Sequence, residues 1–191
     1  RPRRLPSSHR IYLPMKIYIS APVMHDDDYV AIRRLEQIHI ILAKHGFDYF
    51  SPQGYPSLEG RTEESKRLYN QNIAEMIKSN IFLAVGDDTE TIYEAGYFRA
   101  LADHFRYKTG AAENKRYLIT LSEDKLENVV IRESVDAHLV GLADLEKFTA
   151  FAARSWDKPD GLQLTGFDWD DHITRRKIIL DYFPPAGDSY A

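Results

Sequence analysis

The sequence predicts an α/β fold: a doubly wound parallel sheet of about five strands, with helices on both faces and a C-terminal extension. Three observations carry this prediction. Strand-like and helix-like segments alternate from residue 16 to residue 154, the pattern of a parallel sheet with helical crossovers. The segment Asn80-Ile81-Phe82-Leu83-Ala84-Val85 is a nearly unbroken apolar run, as expected for a central strand buried on both faces. Right-handed crossovers then leave few topologies.

The elements follow in order. Residues 16–21 alternate and are rich in β formers, and Pro22 closes this first strand. Asp26, Asp27 and Asp28 supply N-caps and a negative first turn to a helix. Its apolar residues (Val30, Ile32, Leu35, Ile38, Ile41, Leu42) fall at helical spacing, and Gly46 ends it. Residues 47–50 form a short second strand, followed by the loop Ser51-Pro52-Gln53-Gly54-Tyr55-Pro56. A helix starting near Thr62 and Ser65 runs to about residue 79, with Leu68, Ile73, Met76 and Ile77 on one side. The apolar run is the third strand, 86–90 its loop, and 91–104 the next helix. Residues 116–121 are the fourth strand. Val129-Val130-Ile131, Leu139-Val140 and a helix over 144–154 complete the regular part. A flavodoxin-like strand order is the simplest arrangement of these pieces.

Residues 15–155 therefore form one domain. Residues 1–14 hold four arginines, three prolines and no acid, with no apolar periodicity. They are expected to be a disordered leader, or sequence upstream of a natural start at Met15, because a strand begins immediately after it. Residues 156–191 are less regular, with one helical candidate over 170–182 ended by Pro184-Pro185. They read as an extension packed on the domain or on a neighbouring subunit.

Composition narrows the function. The formal net charge is −4, and without the four leader arginines 21 basic residues face 29 acidic ones, a charge of −8. A body this acidic is a poor fit for a nucleic-acid backbone, so a small ligand without strong negative charge is expected. The longest apolar stretches are too short to span a membrane. Cysteine is absent, which removes disulfides, thiolate zinc sites and cysteine nucleophiles. A cytoplasmic location fits.

In an open parallel sheet, ligands bind beyond the carboxyl ends of the strands. Three loops matter there: 20–28, 51–61 and 86–94. None has a dinucleotide or P-loop glycine pattern, and three aspartates in the first disfavour a phosphate. The third loop places Asp87, Asp88, Glu90 and Glu94 within eight residues, after the most apolar strand. Glu94 falls on the first turns of a helix, near the positive end of its dipole, which favours ionisation. Like charges close together split their pKa values, leaving one acid and one anion. Such a pair suits attack at a sugar's anomeric carbon. A solvated capping cluster is the alternative, since Asp and Glu are common at helix starts.

Ile77-Lys78-Ser79-Asn80-Ile81-Phe82-Leu83-Ala84-Val85, then Asp87-Asp88, then Tyr93-Glu94-Ala95-Gly96-Tyr97, resembles the nucleoside 2-deoxyribosyltransferase family. That family has a strand, a loop aspartate and a helix bearing Glu-x-Gly-Tyr. Lys16-Ile17-Tyr18-Ile19-Ser20-Ala21-Pro22 and Phe50-Ser51-Pro52-Gln53 are similar to it too, so the resemblance covers roughly residues 15–148.

The resemblance implies that Glu94 is a nucleophile attacking C1′ of a 2′-deoxyribonucleoside. The base leaves, a deoxyribosyl-enzyme forms, and a second base displaces the glutamate, as in a retaining glycosidase with a base in place of water. It implies no metal and no cofactor. Asp88 would bind the base and manage the proton at the leaving nitrogen, because a purine or pyrimidine anion leaves poorly. Tyr18 would orient the nucleophile, although on the residues alone it is equally an ordinary strand aromatic. Gln53 would read the base edge by donating and accepting; on the residues alone it satisfies loop backbone. Met24 would lie beside the base.

Two positions depart from the family pattern. Asn72 stands where an aspartate is frequent on the second major helix, which keeps an acceptor and loses a charge. No asparagine occurs near Asp136-Ala137-His138, where the family supplies one to the sugar 5′-hydroxyl of the neighbouring subunit's site; His138 is the candidate substitute. The implied partners are deoxyribonucleosides and free bases, in a homo-oligomer whose sites are shared between subunits.

Other clusters carry less. His25 beside three aspartates reads as capping rather than metal binding, and His39 and His45 as surface residues. Asp168, Asp170, Asp171 and His172 form a polar helix start, and no Gly-x-Ser-x-Gly elbow exists. Two alternatives stand beside transfer: an N-glycosidase hydrolysing nucleosides or nucleoside 5′-monophosphates, and a non-catalytic nucleoside-binding module.

Overall fold

The computed structural model describes residues 15–22, 29–52, 63–86, 88–109, 116–123 and 134–155, together with 162 and 164, and side chains of the helix 89–109 as far as 104. Five strands form one sheet: β1 (Lys16–Ser20), β2 (Asp48–Phe50), β3 (Ile81–Val85), β4 (Tyr117–Ser122) and β5 (Ala137–Val140). Four helices accompany them: α1 (Tyr29–Lys44), α2 (Glu63–Lys78), α3 (Thr89–Thr109) and α4 (Gly141–Ser155). The strand order is β2-β1-β3-β4-β5 and every pairing is parallel. This is the flavodoxin-like order expected from the alternation of elements.

Strand residues alternate between two cores. Ile17 and Ile19 of β1, Ile81, Leu83 and Val85 of β3, and Tyr117, Ile119 and Leu121 of β4 face one side, where Ile38 and Leu42 of α1 and Leu145, Phe148 and Ala152 of α4 cover them. Tyr18, Phe82, Ala84 and Leu118 face the other side and pack against Met76 of α2 and Ala95 and Phe98 of α3. All five residues of β3 are buried, because it lies between two strands and beneath helices on both faces. Asn80 joins three strands at their amino ends. Its N–H donates to the Lys16 carbonyl (2.8 Å), its side-chain oxygen accepts from the Lys16 N–H (3.1 Å), and its carbonyl accepts from the Tyr117 N–H (2.9 Å).

Turn chemistry fixes the ends. Gly46 has φ 75°, and the N–H groups of Gly46 and Phe47 close on the Ala43 and Leu42 carbonyls in a Schellman cap. Gly86 has φ 90° and donates to the Leu121 carbonyl, which turns the chain out of β3 toward α3. A Cβ there would stand 3.5 Å from Pro22 Cγ, so the β1 and β3 ends approach closely.

Some expectations are revised. α3 starts two residues earlier than the apolar spacing implied and runs five residues further, with no breaker before Gly110. His39 is half-buried and stacks on Tyr49 at 4.8 Å, and His45 bonds Glu146 at 2.9 Å, so neither is a free surface residue. Leu162 and Leu164 are buried against the α1/α4 side, and the Tyr117 hydroxyl donates to the Leu162 carbonyl. The aspartates 26–28, the apolar 129–131 segment, residues 1–14 and the helical candidate at 170–182 lie outside the described residues. Among the described residues, no helix is long and apolar enough to cross a membrane.

Candidate active site

Strand order places the site. β1 and β3 are adjacent, and the chain proceeds from β1 toward β2 on one side and from β3 toward β4 on the other. The crevice at such a reversal, beyond the carboxyl ends of the strands, is where open α/β sheets take ligands. Tyr18 and Ser20 of β1 are two residues apart, so both side chains emerge on the α2/α3 face. Glu94 is the sixth residue of α3, which descends from Gly86 over that face.

These three side chains meet. The Tyr18 hydroxyl donates to Glu94 Oε1 (3.1 Å) and the Ser20 hydroxyl to Oε2 (2.7 Å). Both carboxylate oxygens are thereby held, and the carboxylate has one orientation. Tyr18 itself is immobilised, fully buried between Phe50 (5.8 Å between ring centroids) and Phe82 (5.4 Å). Each partner of Glu94 is thus set by a sheet position rather than by a loop.

Asp88 caps α3. Its Oδ1 accepts from the N–H groups of Glu90 (3.0 Å) and Thr91 (3.1 Å), and its Oδ2 from the Thr91 hydroxyl. Capping is thus realised at Asp88, whereas Glu94 is held by the sheet residues Tyr18 and Ser20. The cap also links Asp88 to Glu94, because the Thr91 hydroxyl lies 3.3 Å from that of Ser20. Neither Ser20 nor Thr91 was singled out from sequence. Two regularities point to them: Ser20 is one strand period beyond Tyr18, and Thr91 is three residues before Glu94 on one helix face.

Burial raises the Glu94 pKa above its ordinary carboxylate value, the hydrogen bonds from Ser20 and Tyr18 oppose that rise, and the charges of Glu90 and Asp88 add to it. The helix-dipole expectation of an easily ionised Glu94 is thus outweighed, since the side chain is half-buried beside two other acids.

Asn72 is buried on α2, one turn before Met76, and so lies on the same side of the sheet as Tyr18. His138 is buried on β5, with Nδ1 2.9 Å from the Thr120 hydroxyl and Nε2 3.5 Å from that of Ser122. Three strand spacings separate β5 from β1, about 14 Å at about 4.8 Å each. Within one chain His138 is not brought to Glu94. Met24 and Gln53 lie outside the described residues. Among the described residues, no three His, Cys, Asp or Glu side chains converge as a metal site.

No family model matches the chain, and no curated protein matches it. Among solved structures it is similar to a 2-deoxyribosyltransferase from the psychrotolerant bacterium Bacillus psychrosaccharolyticus. The identity is 19% and the TM-score 0.54, over 69% of this chain and 90% of that one. This chain shares its fold with a 2-deoxyribosyltransferase. A conserved protein from Enterococcus faecalis V583 aligns at 14% identity and a TM-score of 0.43, over 78% of this chain and 79% of that one. The likeness is one of fold, and the chemistry rests on the residues at the β1/β3 crevice.

Proposed function

We propose that this chain transfers the 2-deoxyribosyl group between nucleobases by double displacement, with Glu94 as nucleophile. The observation that carries the reading is a half-buried carboxylate held on both oxygens, by Tyr18 at 3.1 Å and Ser20 at 2.7 Å, at the crevice where the strand order reverses. An anion with a fixed direction suits in-line attack on a sugar carbon better than a solvated side chain does. The fold shared with a 2-deoxyribosyltransferase supports the same reading.

In the first displacement, a Glu94 oxygen bonds to C1′ as the bond from C1′ to the base nitrogen breaks. Asp88 gives the departing nitrogen its proton. In the second, the nitrogen of another base bonds to C1′, the ester to Glu94 breaks, and the incoming N–H proton passes to Asp88. Two inversions restore the β configuration. Gln53 and Met24 are assigned to the base, and Asn72 to the same end through its side-chain amide. Assembly into an oligomer that completes the site belongs to this reading, supported by the exposed Tyr29, Val30, Tyr69 and Tyr93. A single-chain mass in light scattering would count against it.

Incubation with thymidine, with and without adenine, is the test. Transfer yields deoxyadenosine only when adenine is present. Thymine release regardless of adenine indicates the hydrolase, and a wild type inert with every deoxynucleoside indicates the binding module. Full activity in Glu94→Ala removes the mechanism.

A further inference from the structure

We propose that Asp88 and Glu94 share one catalytic proton through the hydroxyls of Thr91 and Ser20. The inference rests on the function proposed above and supplies what that function leaves open: how one site keeps an acid and an anion apart.

The chain of contacts is continuous. Asp88 Oδ2 meets the Thr91 hydroxyl at 2.5 Å, Thr91 meets Ser20 at 3.3 Å, and Ser20 meets Glu94 Oε2 at 2.7 Å. Thr91 is fully buried and Ser20 nearly so, which shields both hydroxyls from solvent. Each hydroxyl has one proton to donate. With both carboxylates ionised, Thr91 donates to Asp88 and Ser20 to Glu94. The middle contact then holds no proton, and it is the longest of the three.

One added proton completes the row. On Asp88, it lets Asp88 donate to Thr91, Thr91 to Ser20 and Ser20 to Glu94. On Glu94, every donor reverses. The two states interconvert by three hops, and no other bond changes. Burial and the acidic neighbours Asp88 and Glu90 favour the proton on Glu94, while Tyr18 and Ser20 favour the anion. The state with the proton on Asp88 is the productive one: Glu94 faces C1′ as an anion, and the Asp88 O–H turns from Thr91 to the leaving base, after which Thr91 donates back to the ionised Asp88. The departing base takes that proton, and the incoming base returns one to Asp88 when its N–H is lost. Ser20 and Thr91 are positioning residues in this scheme and touch no substrate.

The test uses the full-length Thr91→Val and Thr91→Ser proteins with 2′-deoxyuridine and 5-fluoro-2′-deoxyuridine. Fluorine is small and makes the leaving base a better anion, so the second substrate depends less on protonation. For a purine-selective enzyme, deoxyguanosine and its N7-methyl derivative serve, the latter leaving without a proton. Thr91→Val is expected to lose at least tenfold more kcat on the substrate with the poorer leaving group, and Thr91→Ser to restore the wild-type ratio. Equal losses on both substrates, or no loss, overturn the relay while the proposed function stands. A wild type inert with every deoxynucleoside, thymidine and deoxyadenosine included, overturns the proposed function itself. Should Thr91→Val fail to fold, Ser20→Ala breaks the same row at its other hydroxyl and is read by the same ratio.

Discussion

Tyr18→Phe isolates one interaction at Glu94. The ring is fully buried between Phe50 and Phe82, and phenylalanine fills the same volume, so the packing is preserved. What is lost at the nucleophile is the 3.1 Å hydrogen bond to Oε1. A hydrogen bond to a charged acceptor contributes about 1.5–3 kcal/mol. Glu94 is only half-buried, so solvent replaces part of that, leaving about 1 kcal/mol in favour of the anion. This corresponds to about fivefold in the ionised fraction wherever Glu94 is mostly protonated. The hydroxyl opposes the upward push of burial, so its removal moves the Glu94 pKa further up. The acidic limb of kcat/KM for base exchange is therefore expected at higher pH, with about a fivefold loss on that limb and a smaller one on the plateau. An unmoved limb, or one displaced to lower pH, would refute the reasoning.

Glu94→Gln is expected to abolish transfer and to stabilise the fold. A carboxyl with a raised native pKa binds more protons folded than unfolded, so wild-type stability falls as pH rises from the ordinary value of 4.5 through the native one. The variant's gain in Tm should be present at pH 7 and disappear below about pH 4; a loss of Tm at pH 7 contradicts this. Asp136→Ala removes a buried carboxylate that accepts from Arg99 (2.9 Å) and the Leu118 N–H (2.8 Å). It should cost about 3–5 kcal/mol in urea unfolding, and a cost under about 1 kcal/mol would mean water replaces both bonds. Gly86→Ala forces a residue with a Cβ to φ 90° beside Pro22, which should cost about 1–2 kcal/mol in the same assay.

The sheet was legible because its signals are local. The apolar run at 81–85 predicts a strand buried on both faces, and the helical spacing of Val30 through Leu42 predicts α1. The far end of α3 was less so, since apolar spacing fades well before the chain meets a breaker at Gly110. At the site, the carboxylate cluster after β3 was visible, whereas the contacts of Ser20 and Thr91 were not. Polar residues at a strand end and a helix start read as ordinary caps until β1 and α3 are brought together. The direction of the Glu94 pKa was also hidden, because the sequence displays the helix start and not the burial that outweighs it. His138 illustrates the converse, a histidine whose partners Thr120 and Ser122 lie on a neighbouring strand 16 to 18 residues away.

The central claim, that Glu94 bonds to the sugar, is tested most directly by incubating the protein with a 2′-deoxy-2′-fluoro-arabinosyl nucleoside and sequencing the product by mass spectrometry. Fluorine slows release of the sugar, so the account predicts a fluoro-arabinosyl ester on the peptide containing Glu94, discharged when a free base is added. Base release with no labelled peptide, or a label on any other residue, would contradict it.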